Sequence, residues 1–216
     1  RGLTGMRHGV GLDVVPYAKV STSRDRRTGK HTTRNGDAGL DLSYRLSPAL
    51  NLRLTYNTDF AETEVDARRT NLTRFPLFFP EKRDFFLEDA GLFSFGVSGR
   101  RPTLIPFFSR RVGRDDKGTA VPIIAGAKLT GRVDDWNLGL LSVYQDDHTD
   151  SAGKFSDQRA LSVMRVSRNI GRESSVGMLA TSGRPTDPGN AYTAGFDFHY
   201  GDSSAFGPGH DIDING

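Results

Sequence analysis

The sequence predicts an all-β chain of antiparallel strands, each with one apolar and one polar face. Three observations carry this. Apolar residues recur at every second position over long stretches, the period of a strand rather than of a helix. Asp outnumbers Glu 21 to 5, and Asp favours turns and caps over helix interiors. Most alternating segments run 9–12 residues, whereas a soluble strand averages about 5–6. A membrane-crossing β-strand needs roughly 9–11 residues. Two architectures fit these strands: a soluble sandwich and an up-and-down transmembrane barrel.

In chain order, the strands are expected at about 9–22, 37–46, 51–59, 92–98, 103–112, 121–133, 136–145, 159–168, 175–183 and 191–200. At 10–20 the even positions are Val10, Leu12, Val14, Pro16, Ala18 and Val20. At 38–46 Ala38, Leu40, Leu42, Tyr44 and Leu46 oppose Asp41 and Arg45. At 51–59 Leu52, Leu54 and Tyr56 oppose Arg53 and Asp59. At 121–133 Val121, Ile123, Ala125, Ala127, Leu129 and Val133 oppose Lys128 and Arg132. At 192–200 Tyr192, Ala194, Phe196, Phe198 and Tyr200 oppose Asp197 and His199. The segments 136–145, 159–168 and 175–183 alternate less cleanly.

Aromatic residues bracket the apolar faces: Tyr192 and Tyr200 on one strand, Trp136 and Tyr144 on another, with Tyr44 on a third. Outer-membrane barrels carry such girdles at both interfaces. Connection lengths point the same way. Ser47–Leu50, Asp134-Asp135 and Asn169–Ser174 are short, while Arg24–Gly36, Asp146–Gln158 and Arg184–Asn190 are longer. Short turns at one end and long loops at the other mark such a barrel. In that arrangement Asp41, Arg45, Arg53, Asp59, Lys128, Arg132, Asp197 and His199 face a wet lumen.

The stretch 60–102 breaks the rhythm. Seven Phe lie between 75 and 95. Keeping the loop sides alternating requires an odd number of crossings here, which places a strand at 92–98 on Phe93, Phe95 and Val97. Residues 60–91 are then expected to form an inward or capping segment with a helical turn or two near 81–90.

Composition excludes several chemistries. The absence of Cys removes disulfides, Cys-ligated zinc and thiol catalysis. The net charge of +3 demands no nucleic-acid partner. The basic loop Arg24, Arg26, Arg27, Lys30, His31 and Arg34 has no interleaved aromatics. It is read as a solvated loop, with lipopolysaccharide phosphate as a possible contact through Arg. His8, His31, His148, His199 and His210 make no metal-binding spacing. Asp211, Asp213, Asn215 and Gly216 look like half a calcium loop, but Ile212 and Ile214 read the same residues as a strand. No metal, cofactor or catalytic residue is expected. The longest nearly uncharged apolar run, Val121–Ala127, is far short of a membrane helix. The start has neither Met nor a signal sequence, so the chain is expected to be an internal piece.

The run Asn71-Leu-Thr-Arg74-Phe75-Pro76-Leu-Phe-Phe79-Pro80-Glu81-Lys82-Arg83-Asp84-Phe85-Phe86-Leu-Glu88-Asp89-Ala-Gly-Leu-Phe93 is specific. With Asn57–Asp66, Pro106–Gly113 and Val121–Arg132, it resembles a bacterial family of uncharacterised outer-membrane β-barrel domains. Two departures stand out: Asp84 where the family has Pro, and Asp89 where it has Gly. The resemblance covers about 57–133. It implies a fragment of a larger antiparallel up-and-down transmembrane β-barrel in a Gram-negative outer membrane, contacting lipid and lipopolysaccharide. It also implies an upstream family-9-type carbohydrate-binding module, hence glycans as partners of that module, and a conduit or anchor role. The alternative is a secreted soluble β-fold that binds carbohydrate or acts as a glycoside hydrolase. Its candidate carboxylates are Glu62, Glu64, Asp66, Glu81 and Glu88, since a glycosidase needs two that flank the bond. Against it, the same carboxylates have cations nearby in Arg68, Arg69, Arg74, Lys82 and Arg83 to pair with.

Overall fold

The computed structural model describes residues 11–24, 32–58, 81–96, 105–114, 121–149, 153, 155–184, 191–203 and 212–216. Their regular structure is almost entirely β. The first strands are β1 (Leu12–Arg24), β2 (Thr32–Ser47) and β3 (Leu50–Thr58). A single helical turn, α1 (Asp84–Leu87), and two 3-10 turns, Ala90–Phe93 and Ser109–Arg111, follow. Then come β4 (Ile123–Val133), β5 (Trp136–Gln145), and a small hairpin of β6 (His148–Thr149) and β7 (Phe155–Ser156). The last strands are β8 (Arg159–Ile170), β9 (Ser174–Ser182), β10 (Tyr192–Asp202) and β11 (Ile212–Asn215).

Apart from the β6–β7 hairpin, the strands form one nine-stranded sheet, β1-β2-β3-β4-β5-β8-β9-β10-β11, with every neighbour antiparallel. Among the described residues, β1 and β11 each pair along one edge only.

The turns 48–49, 134–135 and 171–173 lie at one end of the sheet. Asp134 and Gly171 take left-handed φ values of 50° and 63° there, which tight strand connections require. The opposite end carries the connections 25–31, 59–122, 146–158 and 183–191, whereas the nine-residue connection between β10 and β11, 203–211, joins the short-turn end.

Two expected strands need correction. Residues 92–96 and 105–112 form no strand; they hold 3-10 turns and irregular chain. Residues 97–104 lie outside the described residues. β3 pairs directly with β4, from Leu50 opposite Gly131 to Thr58 opposite Ile123. The chain therefore leaves and re-enters at the same end, and the argument for an odd number of crossings in 60–102 fails. The alternation of short and long connections holds without it from β1 to β10, because 59–122 is itself one long connection, but it breaks at 203–211, which is long and lies at the short-turn end.

The sheet has two unlike faces. One carries residues 81–96 and 105–114 and is the covered face. The other is bare. On the bare face Leu12, Val14, Leu40, Leu54, Val133, Leu140, Val176 and Ile214 are exposed, and Phe196 is 82% exposed. On the covered face Lys128 is 1% exposed, and Thr55, Thr130 and Arg165 are buried. The bare face departs from a soluble protein, where exposed contiguous apolar surface is normally small.

The covered face is not purely polar. Leu141 and Val143 of β5, Leu161 and Val163 of β8, and Leu179 of β9 form a core with Phe85, Phe86, Phe93 and Val112. Each buried Phe contributes about 2–3 kcal/mol. This explains the blurred alternation at 136–145, 159–168 and 175–183: their strands are apolar on both sides. Ile123 joins the core as well. A bulge between Ile123 and Ala125 puts it on the same side as Lys128, opposite to what strict alternation predicted.

Candidate functional site

The site is the junction between the inserted segment and the covered face. Three glycines on the sheet receive three phenylalanine rings. A Cβ on Gly126 would lie 3.0 Å from the Phe85 ring, one on Gly139 3.0 Å from Phe93, and one on Gly195 2.7 Å from Phe95. Only a residue without a side chain lets these rings approach the strands so closely. Gly177 does the same for a guanidinium: a Cβ there would lie 2.5 Å from an Arg165 nitrogen.

Polar side chains fix the segment between these seats. The Lys128 ammonium donates to the carbonyls of Phe85 (2.6 Å) and Glu88 (2.7 Å), closing the C-terminal end of α1. It also lies 5.5 Å from the Phe85 ring centroid. Arg53 donates to the Asp84 carbonyl (3.3 Å) and pairs with the Glu88 carboxylate. The Thr130 hydroxyl donates to Asp89 (2.6 Å). Further along, Arg165 forms a two-pronged pair with Asp197 (2.5 and 2.7 Å). Asp197 also accepts the Gly96 backbone N–H (3.2 Å). Arg165 lies 5.6 Å from the Phe95 ring centroid.

The segment has its own internal clasp. Glu81 accepts two bonds from the Arg83 guanidinium, both 2.8 Å, and one from the Ser109 hydroxyl (2.6 Å). Arg83 also donates to the carbonyls of Val112 and Ser109, both at 2.7 Å, and stacks 4.2 Å from the Phe86 centroid. Residues 81–96 and 105–114 are thereby tied into one unit.

Burial pushes the Glu81 carboxyl up, but the Arg83 hydrogen bonds and charge, helped by Ser109, outweigh it and hold it at about 2. A carboxyl depressed this far below its usual 4.5 stays ionised at neutral pH and cannot serve as a general acid there. Its folded value lies below its unfolded one, so its stabilisation is present above pH 4.5. That stabilisation is lost as the pH falls from 4.5 through 2. Pepsin digestion across this window is expected to cut the 81–112 region progressively faster toward low pH. In E81Q the cutting is expected to be fast throughout, without the acid-dependent rise.

The structure places the other sequence candidates as follows. Asp41, Arg45, Arg53, Lys128, Arg132, Asp197 and His199 share the covered face by strand register. Asp59, Glu62, Glu64, Asp66, Arg74, Phe75, Pro76, Phe79 and Pro80 lie outside the described residues, as does most of the basic loop. Glu81, Arg83, Phe85, Phe86 and Glu88 converge on the junction, while Lys82 is the exposed neighbour. Trp136, Tyr144, Tyr192 and Tyr200 are exposed on the bare face, and Tyr44 is half-buried there. Tyr56 joins them, 61% exposed. It sits beside Ala125, which in turn faces Tyr144. Tyr44, Trp136 and Tyr200 lie toward the short-turn end, and Tyr56, Tyr144 and Tyr192 toward the other. The glycine seats went unnoticed in the sequence, because nothing local marks which ring a strand glycine will receive.

The family described as Domain of unknown function (DUF5916) matches residues 9–132. The chain belongs to DUF5916. The match spans β1 to β4 and the whole described part of the inserted segment, so the DUF5916 region contains both sides of the Lys128 and Arg53 contacts. No curated protein and no solved structure is significantly similar to the chain. The two departures from the resembled motif fit the backbone they occupy. Asp84 opens α1, where Pro is well accommodated. Asp89 has φ 55°, the conformation Gly adopts most easily and Asp tolerates.

Proposed function

We propose that this DUF5916 chain is part of a plugged β-barrel in the outer membrane of a Gram-negative bacterium. Its bare face meets lipid, and its covered face lines the interior. Residues 81–96 and 105–114 belong to the plug. The role is that of a conduit or anchor rather than an enzyme. Contact with lipopolysaccharide, and glycan handling through an upstream carbohydrate-binding module, belong to the same proposal.

The observation that carries this reading is the bare apolar face with Phe196, Leu140 and Val14 exposed, set against a covered face that holds Lys128, Thr130 and Arg165 buried beside its apolar core. A membrane strand needs an apolar outer face and tolerates charge inside. Two aromatic rows support it. Trp136 and Tyr144, and likewise Tyr192 and Tyr200, are eight residues apart. That is roughly 26 Å along a strand, against an apolar band about 25 Å tall in outer-membrane barrels.

The test is made on the intact protein. Outer membranes are isolated and mobility is compared in SDS before and after boiling. A heat-dependent shift is expected. In planar bilayers the intact protein is expected to be closed or weakly conducting, and a variant lacking 60–91 to conduct more. Absence of both the shift and any conductance in the deletion variant would sink the conduit version. The soluble hydrolase reading has less support, since Glu81 and Glu88 are both engaged by arginines.

A further inference from the structure

The covered face holds a polar cavity of about 510 Å³ that the plug contacts leave open. It lies at the short-turn end, beneath the 3-10 turn Ala90–Phe93, with Gly91, Leu92 and Ser94 as its roof. Strand register builds its floor. Arg132 of β4 faces Asn137 of β5, Asn137 faces Ser167 of β8, and Asn169 faces Ser175 of β9. Ser175 faces His199 of β10, which faces Asn215 of β11. Six adjacent strands therefore present hydroxyl, amide, imidazole and guanidinium groups to one space.

The charges in this space select among ligands. Arg165 also lines it, but its charge is neutralised by the two-pronged pair with Asp197. Arg132 makes no ion pair or side-chain hydrogen bond among the described residues and is exposed to the cavity. One uncompensated cation remains among groups that both donate and accept. Among the described residues the Asn137 amide N–H₂ donates at 3.3 Å to Ser167 and 3.2 Å to Asn169, at the long end of the normal range, and a ligand hydroxyl could be held more closely. The volume falls within the 300–1,000 Å³ typical of small-molecule sites.

We infer that this cavity binds a small hydroxyl-rich monoanion. Arg132 holds the carboxylate, and Asn137, Ser167 and Asn169 hold the hydroxyls. The site extends the proposed function and rests on its reading of the covered face as a wet interior.

The experiment is isothermal titration calorimetry on the intact protein in detergent micelles. The probes are gluconate, sorbitol (the same hydroxyls without the charge) and acetate (the charge without the hydroxyls). Gluconate is expected to bind more tightly than either. R132A should weaken gluconate about ten- to a hundredfold, the worth of one charge-assisted hydrogen bond, and leave sorbitol unchanged. R132K should retain part of the affinity. Arg132 is exposed, so R132A should keep the heat-dependent gel shift. That shift reports the barrel independently of binding: no shift overturns the membrane reading, whereas a shift without gluconate binding overturns the site alone. Equal binding of acetate and gluconate, or R132A without effect, overturns it too.

Discussion

Replacing Lys128 by methionine should detach residues 81–96 from the sheet while leaving the strands paired. Methionine keeps most of the volume but removes the ammonium. The Phe85 carbonyl then loses its donor in a buried place and the Glu88 carbonyl in a partly buried one. A buried carbonyl left unpaired costs about 1–3 kcal/mol, so the variant should lose about that much docking through Phe85, with a smaller further loss at Glu88. Arg53 cannot substitute, because it already holds the Asp84 carbonyl and the Glu88 carboxylate. The strand ladder of β3, β4 and β5 uses backbone groups and is untouched. The measurement is limited proteolysis: cleavage within 81–96 should rise by at least an order of magnitude, and the heat-dependent gel shift should persist. Unchanged protection would mean the Phe seats alone hold the segment.

Changing Asp197 to asparagine should destabilise the far side of the junction even more. Arg165 and Asp197 have side chains only 8% and 13% exposed. Removing the carboxylate charge strands a guanidinium that Gly177 admits close to the backbone. Breaking one partner of a buried pair typically costs about 3–5 kcal/mol. Asparagine also weakens the bond from the Gly96 N–H, the last contact of the segment before residue 97. A lower urea midpoint is expected for D197N. The double variant R165M/D197L should recover much of it, because no charge is then left buried. If the double variant is as unstable as the single one, the pair acts through its geometry around Phe95 rather than through charge.

Much of this fold was legible because strand alternation is a local signal. Val14, Leu40, Leu54 and Phe196 each advertised their face through their immediate neighbours. The motif at 71–93 was legible as an interruption, since its Phe, Pro and charge pattern fits no strand. How the segment seats on the sheet was not. Phe93 and Phe95 alternate with Ser94 and Gly96 as a strand would, yet Phe93 ends a 3-10 turn, Phe95 follows it in irregular chain, and the two seat on Gly139 and Gly195 of different strands. Such partners lie 46 and 100 residues away in sequence, beyond any local pattern. Lys128 was read as one of several charges facing water. Its burial depends on the arrival of Phe85 and Glu88, which only the tertiary structure brings. The bulge at Ile123–Ala125 moved one apolar residue to the other face, and period-2 reasoning cannot anticipate an inserted residue.

The central claim is the polarity of the two faces, and β10 allows it to be read residue by residue. These 216 residues contain no Cys, so single cysteines can be introduced here one at a time and spin-labelled in the intact protein, with any cysteine elsewhere in it replaced by serine. Labels at Ala194, Phe196 and Phe198 sample the bare face; labels at Thr193 and His199 sample the covered one. In lipid vesicles, the account predicts that the first set collides with oxygen and is shielded from a water-soluble nickel chelate, with the second set showing the reverse. Nickel access at 194, 196 and 198 equal to that at 193 and 199 would contradict it, and the bare face would then be a surface in water.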